Sequence, residues 1–339
     1  MKIQSIIKPA SLTTLFLRYS LSMIFIFIGI CCAPYSLPDN KGYSEQDDPY
    51  LYYSESLKAY EAQDYTLALQ KIKEALLLND NMALFYKHQG DIYRKLQDYN
   101  QAIESYKTAI QRRSNFVEVH EIIGDIYQEQ NDYNAAVRYY KKAIALEVER
   151  IDIILKMARC YIDWGEYEVA QYHLNTYEKS AAEFKLPMTD QYFLLRAEVL
   201  FKMKKYEESI AYLGQIDQSS VQSLKLLGIN YYALNDYEKG VSYFNTLLNM
   251  EKDEGEWYLY RGIYFFKKKD YHDARSQLEY ALKLDQDLIE VHYYLGKILV
   301  EEKKTNEALD EFQIYRQQMR DDDKLDEVNT LINDLENLK

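Results

Sequence analysis

The sequence predicts an all-α protein built by stacking near-identical helix pairs. Three observations predict it. First, residues 83–150 hold two copies of one pattern displaced by 34 positions. Tyr86, Gly90, Tyr93, Asp98-Tyr99, Ala102, Tyr106 and Ala109-Ile110 recur as His120, Gly124, Tyr127, Asp132-Tyr133, Ala136, Tyr140 and Ala143-Ile144. Second, a fixed period of this size over two amphipathic helices is the signature of a stacked repeat array. Third, only 11 glycines and 5 prolines occur in 339 residues, so few tight turns are encoded.

The same frame recurs outward from this pair. Units begin near Pro49, Ala83, Val117, Ile151, Asp190, Val221, Gly255 and Ile289. Each carries a junction: Asp64-Tyr65, Asp98-Tyr99, Asp132-Tyr133, Glu166-Tyr167, Lys205-Tyr206, Asp236-Tyr237 and Asp270-Tyr271, with Thr305-Asn306 in the eighth. An Asp before an apolar-periodic run caps a helix by accepting backbone N–H bonds. Three residues after the Tyr stands a small residue (Ala68, Ala102, Ala136, Ala170, Ser209, Gly240, Ala274), and Ala308 holds this place in the eighth unit. A small side chain there lets the paired helices approach. In the first helix of the pair the matching slot holds Gly90, Gly124, Gly228, Gly262 and Gly296, with Ser56, Ala158 and Ala197 elsewhere. A mid-helix glycine costs about 1 kcal/mol relative to alanine, so its recurrence points to a close contact that offsets the cost.

These motifs resemble the tetratricopeptide repeat, whose pattern is an aromatic, a Leu-Gly pair, a Tyr, a first Ala, an aromatic and a second Ala. The resemblance covers residues 49–322. It implies a right-handed α-solenoid of about eight helix–turn–helix units, 49–184 for units one to four and 185–322 for units five to eight. It also implies a non-enzymatic scaffold that binds a protein or peptide partner along a concave surface. The proline usual at each unit's end is absent, with Asp80, Ser114 and Val148 at its place in the first three units. A repeat unit cannot bury its apolar face alone, so the last one needs a lid. Residues 323–339, with Leu325, Val328, Ile332 and Leu335 at helical spacing, read as a capping helix.

The N-terminus differs from the rest. Residues 1–32 carry Lys2, Lys8 and Arg18 and no acid, and residues 21–30 are an uncharged apolar run. This is the layout of an export signal. Cys31-Cys32 follows and resembles the lipid-attachment site of bacterial lipoproteins, although Ile30 is bulky and Gly29 stands where an aliphatic is usual. Three readings stay open: a lipoprotein acylated on Cys31 or Cys32, an uncleaved membrane anchor, and an ordinary cleaved signal. They place the chain in the cell envelope as a periplasmic or outer-membrane lipoprotein, at the inner membrane, or secreted. Residues 33–48 read as a flexible linker. Under an alternative function the array is an accessory subunit of an envelope machine, for outer-membrane assembly, pilus biogenesis or solute uptake. There it acts mainly as a spacer.

The frame is disturbed once. Pro187 ends any helix before it, Thr189 or Asp190 can cap the next, and the following second helix is short, about 207–216. This is either a loop insertion or a change of pitch dividing the array.

Composition and motifs exclude several chemistries. A formal net charge of −13 argues against nucleic acid as a partner. No phosphate-binding glycine loop, His-Glu-x-x-His, Cys-x-x-Cys or Gly-x-Ser-x-Gly occurs, so no catalytic residue, cofactor or metal is expected. His120 and His292 sit at a packing slot, Cys160 is a small core residue, and Asp321-Asp322-Asp323 is a solvated acidic turn. What remains is surface. The stripe one residue beyond the packing stripe is polar in units two and three (Lys87, Asp91, Arg94, Glu121, Asp125, Gln128). In units five to eight it is mostly apolar: Leu194, Phe201, Ile229, Tyr232, Leu259, Ile263, Phe266 and Tyr293. These eight are the candidate partner-binding groove, unless the helices of the array bury them against one another.

Overall fold

A computed structural model describes residues 48–217, 219–250, 254–319 and 324–337. Residues 1–47, with Cys31 and Cys32, and the acidic turn 321–323 lie outside the described residues. Among the described residues there are helices and no strands. In chain order they are α1 (Pro49–Glu61), α2 (Tyr65–Leu78), α3 (Ala83–Lys95), α4 (Tyr99–Arg112), α5 (Val117–Glu129) and α6 (Tyr133–Leu146). Then come α7 (Asp152–Trp164), α8 (Tyr167–Phe184), α9 (Asp190–Lys202), α10 (Tyr206–Leu213), α11 (Val221–Ala233) and α12 (Tyr237–Met250). The last are α13 (Gly255–Lys267), α14 (Tyr271–Leu284), α15 (Glu290–Glu301), α16 (Thr305–Gln318) and α17 (Leu325–Glu336). Two helices fall in each period, and α17 follows them. The chain forms two compact units, one up to Gln97 and one from Asp98 onward.

The junction motif does what its chemistry predicts. The Asp64, Asp98, Asp132 and Asp270 side chains accept from the backbone N–H of Leu67, Gln101, Ala135 and Asp273. Each bond satisfies one of the orphan donors of a helix start. Glu166, Lys205 and Lys304 occupy the same position without a side-chain cap. The residue before each of these positions, and before Asp236, is left-handed: Gln63, Gln97, Asn131, Gly165, Lys204, Asn235, Lys269 and Lys303 all have positive φ. Only one of these is glycine, so composition gave no sign of this turn.

In the first unit, Ala59, Ala68, Ile72, Ala75, Phe85 and Ile92 form the core. Ser56, at the small-residue slot, donates to the Ala68 carbonyl at 2.7 Å and lies 3.0 Å from His88 Nε2. In the second unit each described helix packs on the next, and glycines bring paired helices together. A Cβ on Gly124, Gly228, Gly262 or Gly296 would lie 2.5–2.7 Å from the side chain of Tyr140, Phe244, Leu278 or Phe312 respectively. Those four side chains are buried at one repeat position of the second helices. The glycine is therefore the seat for the ring or leucine of its partner helix, and this contact offsets its poor helix propensity.

The irregular region stays packed. Helix α8 runs to Phe184, Lys185 takes a left-handed conformation, and Thr189 accepts from Tyr192 N–H to start α9. Helix α9 packs against α7 and α8 before it and against α11 after it. Helix α10 ends at Leu213, earlier than the sequence suggests. Gly214 is a poor helix former, and beyond it Asp217 accepts from Ser219 N–H and Ser220 caps α11. In α17, Val328, Ile332 and Leu335 are buried.

Candidate functional site

The eight-residue apolar stripe does not stay on one surface. Leu194, Phe201 and Ile229 are partly exposed and line a cavity of about 320 Å³ between α7, α9 and α11. Leu226 completes its apolar lining. Leu226 also belongs to the core behind them, with Ala197, Leu213 and Leu227. The edge is charged: Arg159 on α7, Glu198 and Lys202 on α9, and Lys225 on α11, with the amide Gln222 beside it.

The other members of the stripe go elsewhere. Tyr232 is buried, its ring close against Gly240 and its hydroxyl donating to the Tyr260 carbonyl at 2.5 Å. Leu259 and Ile263 are buried in the core of the C-terminal helices, where α13 packs directly on α15. Phe266 keeps some exposure and meets Tyr294 edge-on, with ring centroids 5.4 Å apart. Tyr293 is buried, and its hydroxyl donates to Glu327 of α17 at 2.7 Å. Lys297 pairs with the same carboxylate at 2.7 Å. Of the two alternatives that the sequence left open, partial exposure holds at Leu194, Phe201, Ile229 and Phe266, and burial holds at Tyr232, Leu259, Ile263 and Tyr293. Neighbouring first helices and α17 cover Tyr232, Leu259, Ile263 and Tyr293, and the open part is the α9–α11 cavity.

The charged edge is mostly tied down. Arg159 pairs with Glu198 at 2.7 Å and Asp163 at 3.5 Å. Burial works against its charge, but the bonds and charges of these carboxylates outweigh it and raise its pKa. Lys225 meets Glu256 at 2.5 Å and lies over the Trp257 ring at 5.7 Å. Lys202 is exposed and, among the described residues, its ammonium has no ion-pair or hydrogen-bond partner.

Sequence reasoning missed Arg159, Lys202, Gln222 and Leu226. Arg159 and Ile229 occupy the position directly after the small-residue slot, as Asp91 and Asp125 do, so the repeat frame held the signal for Arg159. The other three fall outside the stripe that the frame singles out.

Among the described residues no group of His, Cys, Asp and Glu is arranged to hold a metal ion. Cys160 is buried, and that burial pushes its thiol up to about 12, so it is not a thiolate nucleophile at neutral pH. His120 is buried, and His292 pairs with Glu311 at 2.6 Å.

Family models agree with the architecture. A model described as TPR repeat matches residues 90–130, and one described as tetratricopeptide repeat matches 225–289 and 261–323. The chain is a tetratricopeptide repeat (TPR) protein. A model of anaphase-promoting complex, cyclosome, subunit 3 matches residues 129–216 of this TPR chain. Among solved structures, the APC/C hetero-tetramer Cut9–Hcn1 is 16% identical with a TM-score of 0.58, the match covering 86% of this chain and 56% of that one. PilF of Pseudomonas aeruginosa is 17% identical with a TM-score of 0.50, over 62% of this chain and 94% of that one. A TPR protein from Parabacteroides merdae is 14% identical with a TM-score of 0.42, over 84% and 98%. At these identities the first two likenesses show the fold alone. No curated protein matches the sequence.

Proposed function

We propose that this TPR protein is a non-enzymatic scaffold that seats a segment of another protein in the cavity lined by Leu194, Phe201 and Ile229. The observation that carries the reading is this cavity. Apolar side chains from two successive first helices stay partly exposed there, while Leu259, Ile263 and Tyr293 at the matching positions of later repeats are covered. Apolar surface left open beside a rigid helical core is the usual seat of an anchoring side chain from a partner. The volume, about 320 Å³, is at the lower end of ligand-binding clefts, roughly 300–1,000 Å³. It suits the anchor residues of a peptide better than a bulky cofactor.

The test is Phe201→Glu combined with Ile229→Glu. Both side chains are partly exposed, so helicity measured by circular dichroism stays intact while partner binding falls at least about a hundredfold, or roughly 3 kcal/mol. Undiminished binding removes the groove from the account.

The same reading places the scaffold outside the cytoplasm, held to a membrane through Cys31 or Cys32. Its support is the basic, apolar leader ending in two cysteines. No helix of the described residues is long and apolar enough to cross a membrane. Mass spectrometry of the mature N-terminus tests the tether: an acylated cysteine is expected there, and an intact, unmodified Met1 contradicts it.

A further inference from the structure

We infer that the α9–α11 cavity selects an aliphatic peptide segment flanked by acidic residues. This rests on the partner-binding reading above and adds the chemistry of the partner. The chain carries a formal net charge of −13, yet the cavity lining reverses that sign. Arg159, Lys202 and Lys225 face it, against Glu198 alone. Glu198 pairs with Arg159, whose second acid, Asp163, stands outside the lining, as does Glu256, the partner of Lys225. Lys202 stands next to the anchor-receiving Phe201 and is the cation that meets an incoming carboxylate without giving up a bond of its own.

The dimensions set how much of a partner fits. Leu194 and Phe201 lie two turns apart on α9, or about 10 Å along the axis. An extended peptide rises about 3.3 Å per residue, so about three residues span the apolar lining. Charged residues on either side of that span then fall at the level of Lys202 at the C-terminal end of α9 and of Gln222 and Lys225 on α11. A basic flank would meet Lys202 or Lys225 there, and like charges across an interface disfavour a wrong partner.

The experiment is selection from a randomised dodecapeptide display library on the full chain, with the Phe201→Glu variant as the counter-selection. Leu, Ile or Phe beside Asp or Glu should be enriched. For a selected peptide, Lys202→Glu should weaken binding about five- to tenfold. The same substitution should favour a counterpart whose acidic flanks are changed to Lys. Lys202 is exposed, and unchanged helicity confirms that the variant is folded. Enrichment of basic or neutral flanks, or an affinity indifferent to Lys202→Glu, overturns the acidic preference and leaves the groove standing. No enrichment over the Phe201→Glu variant overturns the groove and the preference together.

Discussion

Helices α5 and α9 carry corresponding positions of the repeat, yet the structure uses them in opposite ways. On α5 these positions are Glu121, Asp125 and Gln128. Lys156 of α7 reaches Glu121 at 2.8 Å and Asp125 at 2.7 Å, and Arg150 reaches Glu121 at 2.6 Å. The Tyr140 hydroxyl donates to Asp125 at 2.7 Å and to Gln128 at 3.0 Å. Burial, followed by the charge of Asp125, raises the Tyr140 pKa, so that hydroxyl remains a donor. On α9 the same positions hold Leu194, Glu198 and Phe201, and only Glu198 is committed to a bridge, with Arg159. Polar side chains at these positions are consumed in tying one repeat to the next. The apolar Leu194 and Phe201 at the same positions of α9 stay partly exposed.

Substitutions can break this contrast. The largest effect on stability is expected from Lys156→Ala. It leaves Asp125 with the Tyr140 hydroxyl and Glu121 with Arg150, in a region where both carboxylates are mostly buried. A loss of about 2 kcal/mol is expected, measured as a lower urea midpoint, with peptide affinity unchanged. A loss of affinity comparable to that of the groove variants would show that the two regions act as one site.

A smaller effect separates the regions by pH. His120 and His173 have lowered pKa values, through burial first and then through Lys142 and Lys141 respectively. The folded chain therefore holds them neutral, while the unfolded chain takes up the proton. Their contribution to stability is complete above the ordinary imidazole value, about 6.5, and is lost as pH falls through and below it. No histidine lies in α9, α10 or α11. Mild acid should lower the melting temperature, and His120→Gln with His173→Gln should flatten that dependence. Peptide affinity should hold wherever the chain stays folded. An unchanged pH profile in the double variant would remove these histidines from the account.

The fold was readable because each repeat device has a local cause. Asp98 and Asp132 announce helix starts, and Gly124 and Gly228 announce the close approach of a ring from the partner helix. The site was readable only in part. Periodicity identified Leu194, Phe201 and Ile229 as facing one way, but it also grouped them with Leu259 and Tyr293. What buries Leu259 and Tyr293 is tertiary: α13 lies directly against α15, and α17 brings Glu327 onto the Tyr293 hydroxyl. Such coverage depends on how neighbouring helices pack, which a single-helix pattern does not encode. The left-handed turn residues were hidden for a different reason. Gln63, Lys204, Lys269 and Lys303 take positive φ without the glycine that usually marks it.

The account turns on whether the opening beside Phe201 is where a partner is held. Calorimetric titration of one library-selected peptide into wild type, Lys156→Ala and the Phe201→Glu, Ile229→Glu double variant tests this most directly. Equal affinity for the first two and loss of at least about a hundredfold for the third is the predicted result. Equal affinity for all three would place the binding surface elsewhere on the chain and contradict the account.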